Sequence, residues 1–158
     1  MAITNIARVK YNDVADGLGV RTTVFVSGCR RHCPGCQNPE TWDFDFGERF
    51  NWQMEQMVID SLKPYWIQGL TICGGEPFEP ENEAALIPFL KRVREELPGK
   101  DIWVYTGYTL DELQGRELLR YTDVLVDGPF VEGQKDAGLA FRGSRNQRII
   151  HLEGGREK

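Results

Sequence analysis

Histidine is almost missing from this chain: His32 and His151 are the two present in 158 residues. A site built on an imidazole base or on several histidine metal ligands is therefore poorly provided for. Long apolar runs are missing too, and nothing approaches the roughly 20 residues that a membrane-crossing helix needs. The opening residues, Met1-Ala2-Ile3-Thr4-Asn5, have neither the basic start nor the apolar core of a signal peptide. The expected address is the cytoplasm, with no membrane partner. Nor is there a basic excess: 19 Lys and Arg face 24 Asp and Glu, for a net charge of −5. That balance argues against a nucleic-acid partner. There is no internal repeat, low-complexity tract or long linker, and 158 residues leave room for one core. A single domain spanning 1–158 is expected.

Cysteine is sparse as well, but three of the four, Cys29, Cys33 and Cys36, crowd into one short segment, while Cys73 stands apart. Such crowding is a poor plan for a disulfide scaffold, and in a chain that is not exported it points to metal binding or redox chemistry.

Runs rich in β-branched and aromatic residues recur at Val20–Ser27, Ile67–Cys73, Asp101–Thr106 and Thr122–Val126, with a fifth at Gln147–Leu152. Helical patterns separate the first runs. Asn51 is placed to cap a helix whose Met54, Met57, Val58 and Leu62 follow the 3.6-residue period up to Pro64. Leu86, Phe89, Leu90, Val93 and Leu97 repeat that spacing, with Pro88 predicting a late start or a kink. Thr109-Leu110-Asp111-Glu112 reads as a capping box opening a third, shorter helix. Strand–helix alternation predicts an α/β fold with mostly parallel strands, and the near-continuous apolar runs agree. The length fits an open, incomplete (β/α) barrel. Four landmarks then fall just past the carboxyl ends of strands: the cysteine cluster, Gly74-Gly75-Glu76-Pro77, Gly107 and Asp127-Gly128-Pro129. That edge is where parallel α/β folds bind ligands.

The cysteines have the spacing C-x3-C-x2-C. Three close thiolates suit three corners of an iron–sulfur cluster and leave one iron open to a substrate. A zinc knuckle completed by His32 or Cys73 is the competing reading, in a non-catalytic interaction module. His32 is expected to be exposed and Cys73 to be a small buried residue. The glycine motif one strand later favours iron and sulfur: glycines let backbone carbonyls approach a ligand, and Glu76 can neutralise an ammonium.

With these two motifs in order, the chain resembles the radical S-adenosylmethionine enzymes. Phe25-Val26-Ser27-Gly28-Cys29, Asn38 with Thr41-Trp42, Asp101 through Tyr108, Val124 through Gly128 and Arg142-Gly143-Ser144-Arg145-Asn146-Gln147-Arg148 narrow the likeness. Together they resemble the activating proteins of the anaerobic, class III ribonucleoside-triphosphate reductase, from about Asp16 through Arg148. The resemblance implies a 4Fe–4S cluster held by Cys29, Cys33 and Cys36. It implies S-adenosylmethionine bound by Gly74, Gly75 and Glu76, with further contacts from Gly35, Cys36 and Gln37. Many radical S-adenosylmethionine enzymes have an aromatic where Gly35 stands, but the reductase activases do not; Gln37 replaces an aromatic often found near the adenine. The implied reaction is reduction by flavodoxin or ferredoxin, cleavage of the sulfonium to a 5′-deoxyadenosyl radical, and abstraction of a glycine α-hydrogen from the reductase. An activase of another glycyl-radical enzyme, such as pyruvate formate-lyase, is the nearest alternative. Arg30 and Arg31 either guide an acidic donor or are simply solvated. Asp127 contacts ribose or caps a turn, and Asn146, Gln147 and Arg148 contact the partner or hold the C-terminal segment. His151 has no assigned role, and Trp42, Trp52, Trp66 and Trp103 are expected to pack.

Overall fold

The computed structural model describes residues 4–158. Its main elements in chain order are β1 (Asn5–Asp13), β2 (Val20–Val26), β3 (Glu48–Arg49), α1 (Trp52–Leu62), β4 (Ile67–Gly74), α2 (Pro80–Glu96), β5 (Asp101–Tyr105), β6 (Val124–Asp127), β7 (Arg148–Glu153) and β8 (Arg156–Glu157). The strands form one sheet in the order β3-β1-β2-β4-β5-β6-β7-β8. Its centre, β2 through β6, is parallel, as the apolar runs predict. Antiparallel pairs flank that centre on both sides. The sheet is open, ending on a two-residue strand at each edge, and the fold is mixed α/β.

Alternation along the strands divides the sheet into two different faces. Val24, Val26, Leu70, Ile72, Ile102, Val104 and Leu125 pack with Val58, Ile59 and Leu62 of α1 and Leu86, Phe89, Leu90 and Val93 of α2. The opposite face carries Arg21, Thr23, Phe25, Thr71, Cys73, Trp103 and Tyr105. Among the described residues no helix covers that face; Phe141 of the late loop packs edge-on against Trp103 there, at 5.5 Å.

The helix predictions hold in part. Asn51 Oδ1 accepts the Met54 amide at 2.9 Å, capping α1 as expected. Met57, however, is exposed and not on the packed face. The late start predicted for α2 does not occur: Pro80 opens the helix, which runs past Pro88 to Glu96. Pro88 is tolerated because Ala84, whose carbonyl loses a partner, is not fully buried. The capping box forms between Thr109 and Glu112, but it opens only a 3-10 turn, Leu110–Leu113. Gly115, at φ +83°, ends that segment, and a second 3-10 turn, Glu117–Tyr121, leads into β6.

β1 lies outside the sequence expectations. Its Arg8 and Lys10 sit over the Phe25 ring at 4.4 and 5.7 Å, so basic side chains occupy places where an amphipathic strand would show apolar ones. Irregular register at Ile6/Arg8 and Lys10/Asp13 blurs the alternation further. Trp103 packs, and Trp42 stacks on His32 at 4.4 Å. Trp52 and Trp66 are exposed, correcting the expectation that all four tryptophans pack. Among the described residues, no helix is long and apolar enough to cross a membrane.

The inner face is braced by Arg21, whose residue is fully buried. Its guanidinium donates to Thr71 Oγ1 at 2.7 Å, to the Leu18 and Leu70 carbonyls at 2.9 Å and to Asp101 Oδ1 at 2.6 Å. Removing one partner of such a pair strands the other charge in a dry interior. Because Asp101 is partly solvated, Asp101→Ala is expected to lower stability by about 2–3 kcal/mol in urea unfolding. A loss below about 1 kcal/mol would show that the neutral hydrogen bonds suffice to hold Arg21.

Candidate functional site

The cysteine loop leaves β2 through Gly28, at φ +107°, where a side chain would run into the Phe44 ring. Backbone bonds then fix the loop from outside: Gly28 N donates to Thr41 O at 2.7 Å and Cys29 N to Trp42 O at 3.2 Å. The second loop leaves β4 through Gly74, at φ +109°, where a Cβ would lie 2.5 Å from the Val26 carbonyl. That close approach lets Gly75 N donate to Val26 O and Glu76 N to Gly28 O, both at 2.8 Å. Asn82 of α2, fully buried, donates through Nδ2 to the carbonyls of Ser27 at 3.1 Å, Gly28 at 3.4 Å and Glu76 at 3.0 Å. The two loops are thus one hydrogen-bonded unit.

Cys29, Cys33 and Cys36 are free and half-buried. All three line one cavity of about 360 Å³ together with Gln37, Gly74, Gly75, Glu76 and Gly107. The size falls within the span of small-molecule sites, roughly 300–1,000 Å³. Burial pushes the Cys29 thiol up, against the hydrogen bonds of nearby backbone amides. Asn38 N donates to Cys36 Sγ at 3.4 Å. Gly35 does not line the cavity; it turns the loop at φ +75° and faces Glu132. Cys73 is buried at the cavity wall, as expected, and desolvation drives its thiol well up.

The lining suits an iron–sulfur cluster in kind, with three free thiols and an anionic group on one cavity, although among the described residues no three His, Cys, Asp or Glu side chains stand close enough together as placed to hold a metal ion. His32 is exposed, as expected, with its ring face stacked on Trp42.

Glu76 is 2% exposed. Its Oε2 accepts Phe78 N at 3.0 Å and Thr106 Oγ1 at 2.7 Å, and its Oε1 accepts Gly107 N at 2.7 Å. Burial still pushes its carboxyl up, and no cationic nitrogen comes within 4 Å among the described residues. Two other landmarks prove structural. Asp127 receives the Arg148 guanidinium at 2.6 and 3.0 Å and the Leu110 amide at 2.8 Å, so it caps a turn and fastens β7. Asn146 donates to Pro129 O at 2.7 Å, and Gln147 ties Gly143 and Ser144 to Gly128. Neither Arg30 nor Arg31 is a freely solvated arginine. Arg30 is held by Glu79 at 2.7 Å and Glu81 at 2.5 Å, and Arg31 lines the cavity.

Asp16, a cavity residue that motif reading passes over, contributes a second acidic group. Its carboxyl is pushed up to about 7 by burial first, then by its hydrogen bond with Asp13 and that neighbour's charge. Burial opposes the hydrogen bonds from Asp16, Thr23 and Ala15 at Asp13, but those bonds win and hold Asp13 below the usual range. The signal in sequence was only a short Asp-Gly-Leu-Gly segment before β2. A raised folded-state value means stability present at low pH and lost as pH rises through about 7. Asp16→Asn, which mimics the protonated form, is therefore expected to raise the urea midpoint most at about pH 8 and by clearly less at about pH 5.5, since the unfolded carboxyl is already ionised above about pH 4. Equal shifts at both pH values would refute the assignment.

Comparison with known proteins agrees with this arrangement. The 4Fe-4S single cluster domain family matches residues 15–150. The anaerobic ribonucleoside-triphosphate reductase-activating protein of Haemophilus influenzae is 52% identical over 143 residues, covering 88% of this chain and 92% of that protein. The protein of the same name from Escherichia coli strain K12 is 45% identical over 144 residues, covering 89% and 94%. That of Enterobacteria phage T4 is 36% identical over 145 residues, covering 92% of each. With its cysteine loop and glycine loop on one cavity and this likeness along most of its length, the chain belongs to the family of anaerobic ribonucleoside-triphosphate reductase-activating proteins.

Proposed function

We propose that the protein activates anaerobic ribonucleoside-triphosphate reductase by generating a glycyl radical on it. The observation that carries this reading is the convergence of Cys29, Cys33 and Cys36 with Gly74, Gly75 and Glu76 on one cavity at the carboxyl edge of the parallel strands. The relatives named above carry the reductase in their names, which favours it over pyruvate formate-lyase as the target. The bound cluster supplies the electron that cleaves S-adenosylmethionine to methionine and a 5′-deoxyadenosyl radical, which takes the glycine α-hydrogen.

The chain's own residues bind and orient. Cys29, Cys33 and Cys36 would hold the cluster through three thiolates, with Cys73 kept apart in β4, and would leave it open to the cofactor. Gly74 and Gly75 offer backbone to the methionine moiety, and Glu76 receives its ammonium, which relieves a buried anion without a charged neighbour in contact. Cys36 and Gln37 border the adenine side, while Gly35 sets the loop's turn. No residue moves a proton, so the two histidines suffice. The inner sheet face, with strands on both flanks, supports reading the whole of 1–158 as one radical S-adenosylmethionine domain in the form of an incomplete (β/α) barrel. Its missing side is where the reductase's glycine loop enters. Reduced flavodoxin or ferredoxin is the proposed donor, and the cytoplasm the proposed location.

Two outcomes test this. Glu76→Gln is expected to weaken S-adenosylmethionine binding roughly ten- to a hundredfold, the worth of a charged hydrogen bond, with iron content retained; unchanged affinity by calorimetry rules the role out. The reduced protein with S-adenosylmethionine and reductase should give a glycine-centred doublet in electron paramagnetic resonance, lost when the reductase's radical glycine is replaced by alanine. A doublet with pyruvate formate-lyase and none with the reductase would overturn the choice of partner.

A further inference from the structure

The loop between β6 and β7 crosses the sheet face that no helix covers, and bonds at its base hold it there. Asp136 N donates to Gly143 O at 3.2 Å, Arg145 N donates to Gln134 O at 2.9 Å, and Lys135 bridges to Ser144. The tip beyond that base, Ala137-Gly138-Leu139-Ala140-Phe141, carries no charge. Leu139 and Phe141 of the tip line the cavity, as does Phe130 at the start of the loop, and all three are half-buried. A side chain on Gly143 would come within 3.1 Å of the Phe130 ring, so that ring lies against the returning leg of the same loop. Phe141 stands out among the three. Its φ is +59°, a left-handed backbone that a bulky residue seldom adopts. Glycine would hold such a turn with less strain, so the turn alone does not call for phenylalanine. The ring rests edge-on against Trp103 at 5.5 Å, which directs it onto the uncovered face and not into solvent. Strain kept at a cavity wall points to a role in what the cavity receives.

The place of this apolar wall is the second observation. The thiols and Glu76 follow the carboxyl ends of β2 and β4, whereas Trp103, against the Phe141 ring, lies two residues before the end of β5. A cavity of about 360 Å³ is near the lower end of the range for one small ligand, roughly 300–1,000 Å³. A partner's loop therefore meets the rim, on the side that no helix closes, and the rim there is Phe130, Leu139 and Phe141. A glycine has no side chain by which to be recognised. An enzyme that must select one glycine reads the residues beside it, and an uncharged aromatic wall reads an apolar neighbour.

We propose that Phe141, with Leu139 and Phe130, is the receptor for an apolar side chain directly beside the radical glycine of the reductase, and so determines which glycine is presented to the site. The inference rests on the proposed function and deepens it by naming the residues that set specificity for the partner. Trp103 backs the Phe141 ring, so the wall stays in place when solvent is displaced from it.

The test measures the dissociation constant for the reductase by calorimetry, on anaerobic protein checked for iron content and for S-adenosylmethionine affinity. Phe141→Ala is expected to weaken reductase binding about tenfold, as truncation of an interface aromatic does, and Phe141→Tyr to restore most of the loss. Leu139→Ala lies outside the cluster packed around Trp103, so it leaves the loop's seat intact and should weaken binding by a smaller factor. It decides the matter if Phe141→Ala loosens the loop. Replacing the apolar residue beside the reductase's radical glycine by alanine should weaken binding to the unmodified protein by a similar factor, and to Phe141→Ala by nothing further. Additive losses, unchanged binding in both Phe141→Ala and Leu139→Ala, or a radical glycine with no apolar neighbour would overturn the proposal. So would a fall in S-adenosylmethionine affinity in these variants, which would assign the wall to the adenine. Absence of the glycine-centred doublet with the unmodified protein would strike the proposed function itself, a separate result.

Discussion

A single buried amide, Asn82, holds the site together. Its Nδ2 serves the carbonyls of Ser27 and Gly28 on one loop and Glu76 on the other, and its Oδ1 accepts the Thr4 hydroxyl ahead of β1. Carbonyls at the ends of parallel strands have lost their ladder partners and face a dry interior, where an unmet polar group costs about 1–3 kcal/mol. One side chain on the first turns of α2 serves three carbonyls here, of which Gly28 O and Glu76 O also accept a backbone amide. The position of the helix, the exit of β2 and the exit of β4 are thereby mutually dependent, and the cavity's two halves cannot shift independently.

The sheet serves two purposes through its two faces. Toward the helices it presents Val24, Val26, Leu70, Ile72, Ile102 and Val104, which supply the main apolar core. Toward the cavity it presents Arg21, Thr23, Thr71, Cys73 and Tyr105, a polar interior with its own ion pair and hydrogen bonds. That inner face adds to these polar groups a small apolar cluster of Trp103, Val124, Val126 and Phe141, so its order comes from both. The stability of the domain and the chemistry of the cavity thus draw on different side chains of the same strands.

Much of this was legible in the sequence. The four parallel strands and α1 follow from β-branched runs, periodicity and a capping asparagine. The carboxyl-edge landmarks followed from placing motifs at strand ends, and the cysteine and glycine loops do converge. What was hidden had physical causes. β1 was masked because Arg8 and Lys10 cover Phe25 with apolar stems and cationic heads, and hydropathy reads both as polar. The third helix shrank to 3-10 turns because Gly115 adopts a conformation that no helix continues through. Asp16 and Arg31 were unreadable as site residues, since their place in the cavity comes from loops whose paths depend on Thr71 and Tyr108. Asp127 stands at the right edge yet turns to Arg148 and a backbone amide, a choice that position alone does not determine.

The bonds from Glu76 N to Gly28 O and from Gly75 N to Val26 O run entirely through main-chain atoms. Such ties require glycine at 28, 74 and 75 but are blind to the other side chains of the two loops. Mutational drift at the loop positions Arg30, His32 and Gln37 can therefore retune what surrounds the thiols while leaving the thiols where they stand. The scaffold is conservative in its backbone and permissive in its decoration, so a lineage can adapt this centre to new redox partners without rebuilding it.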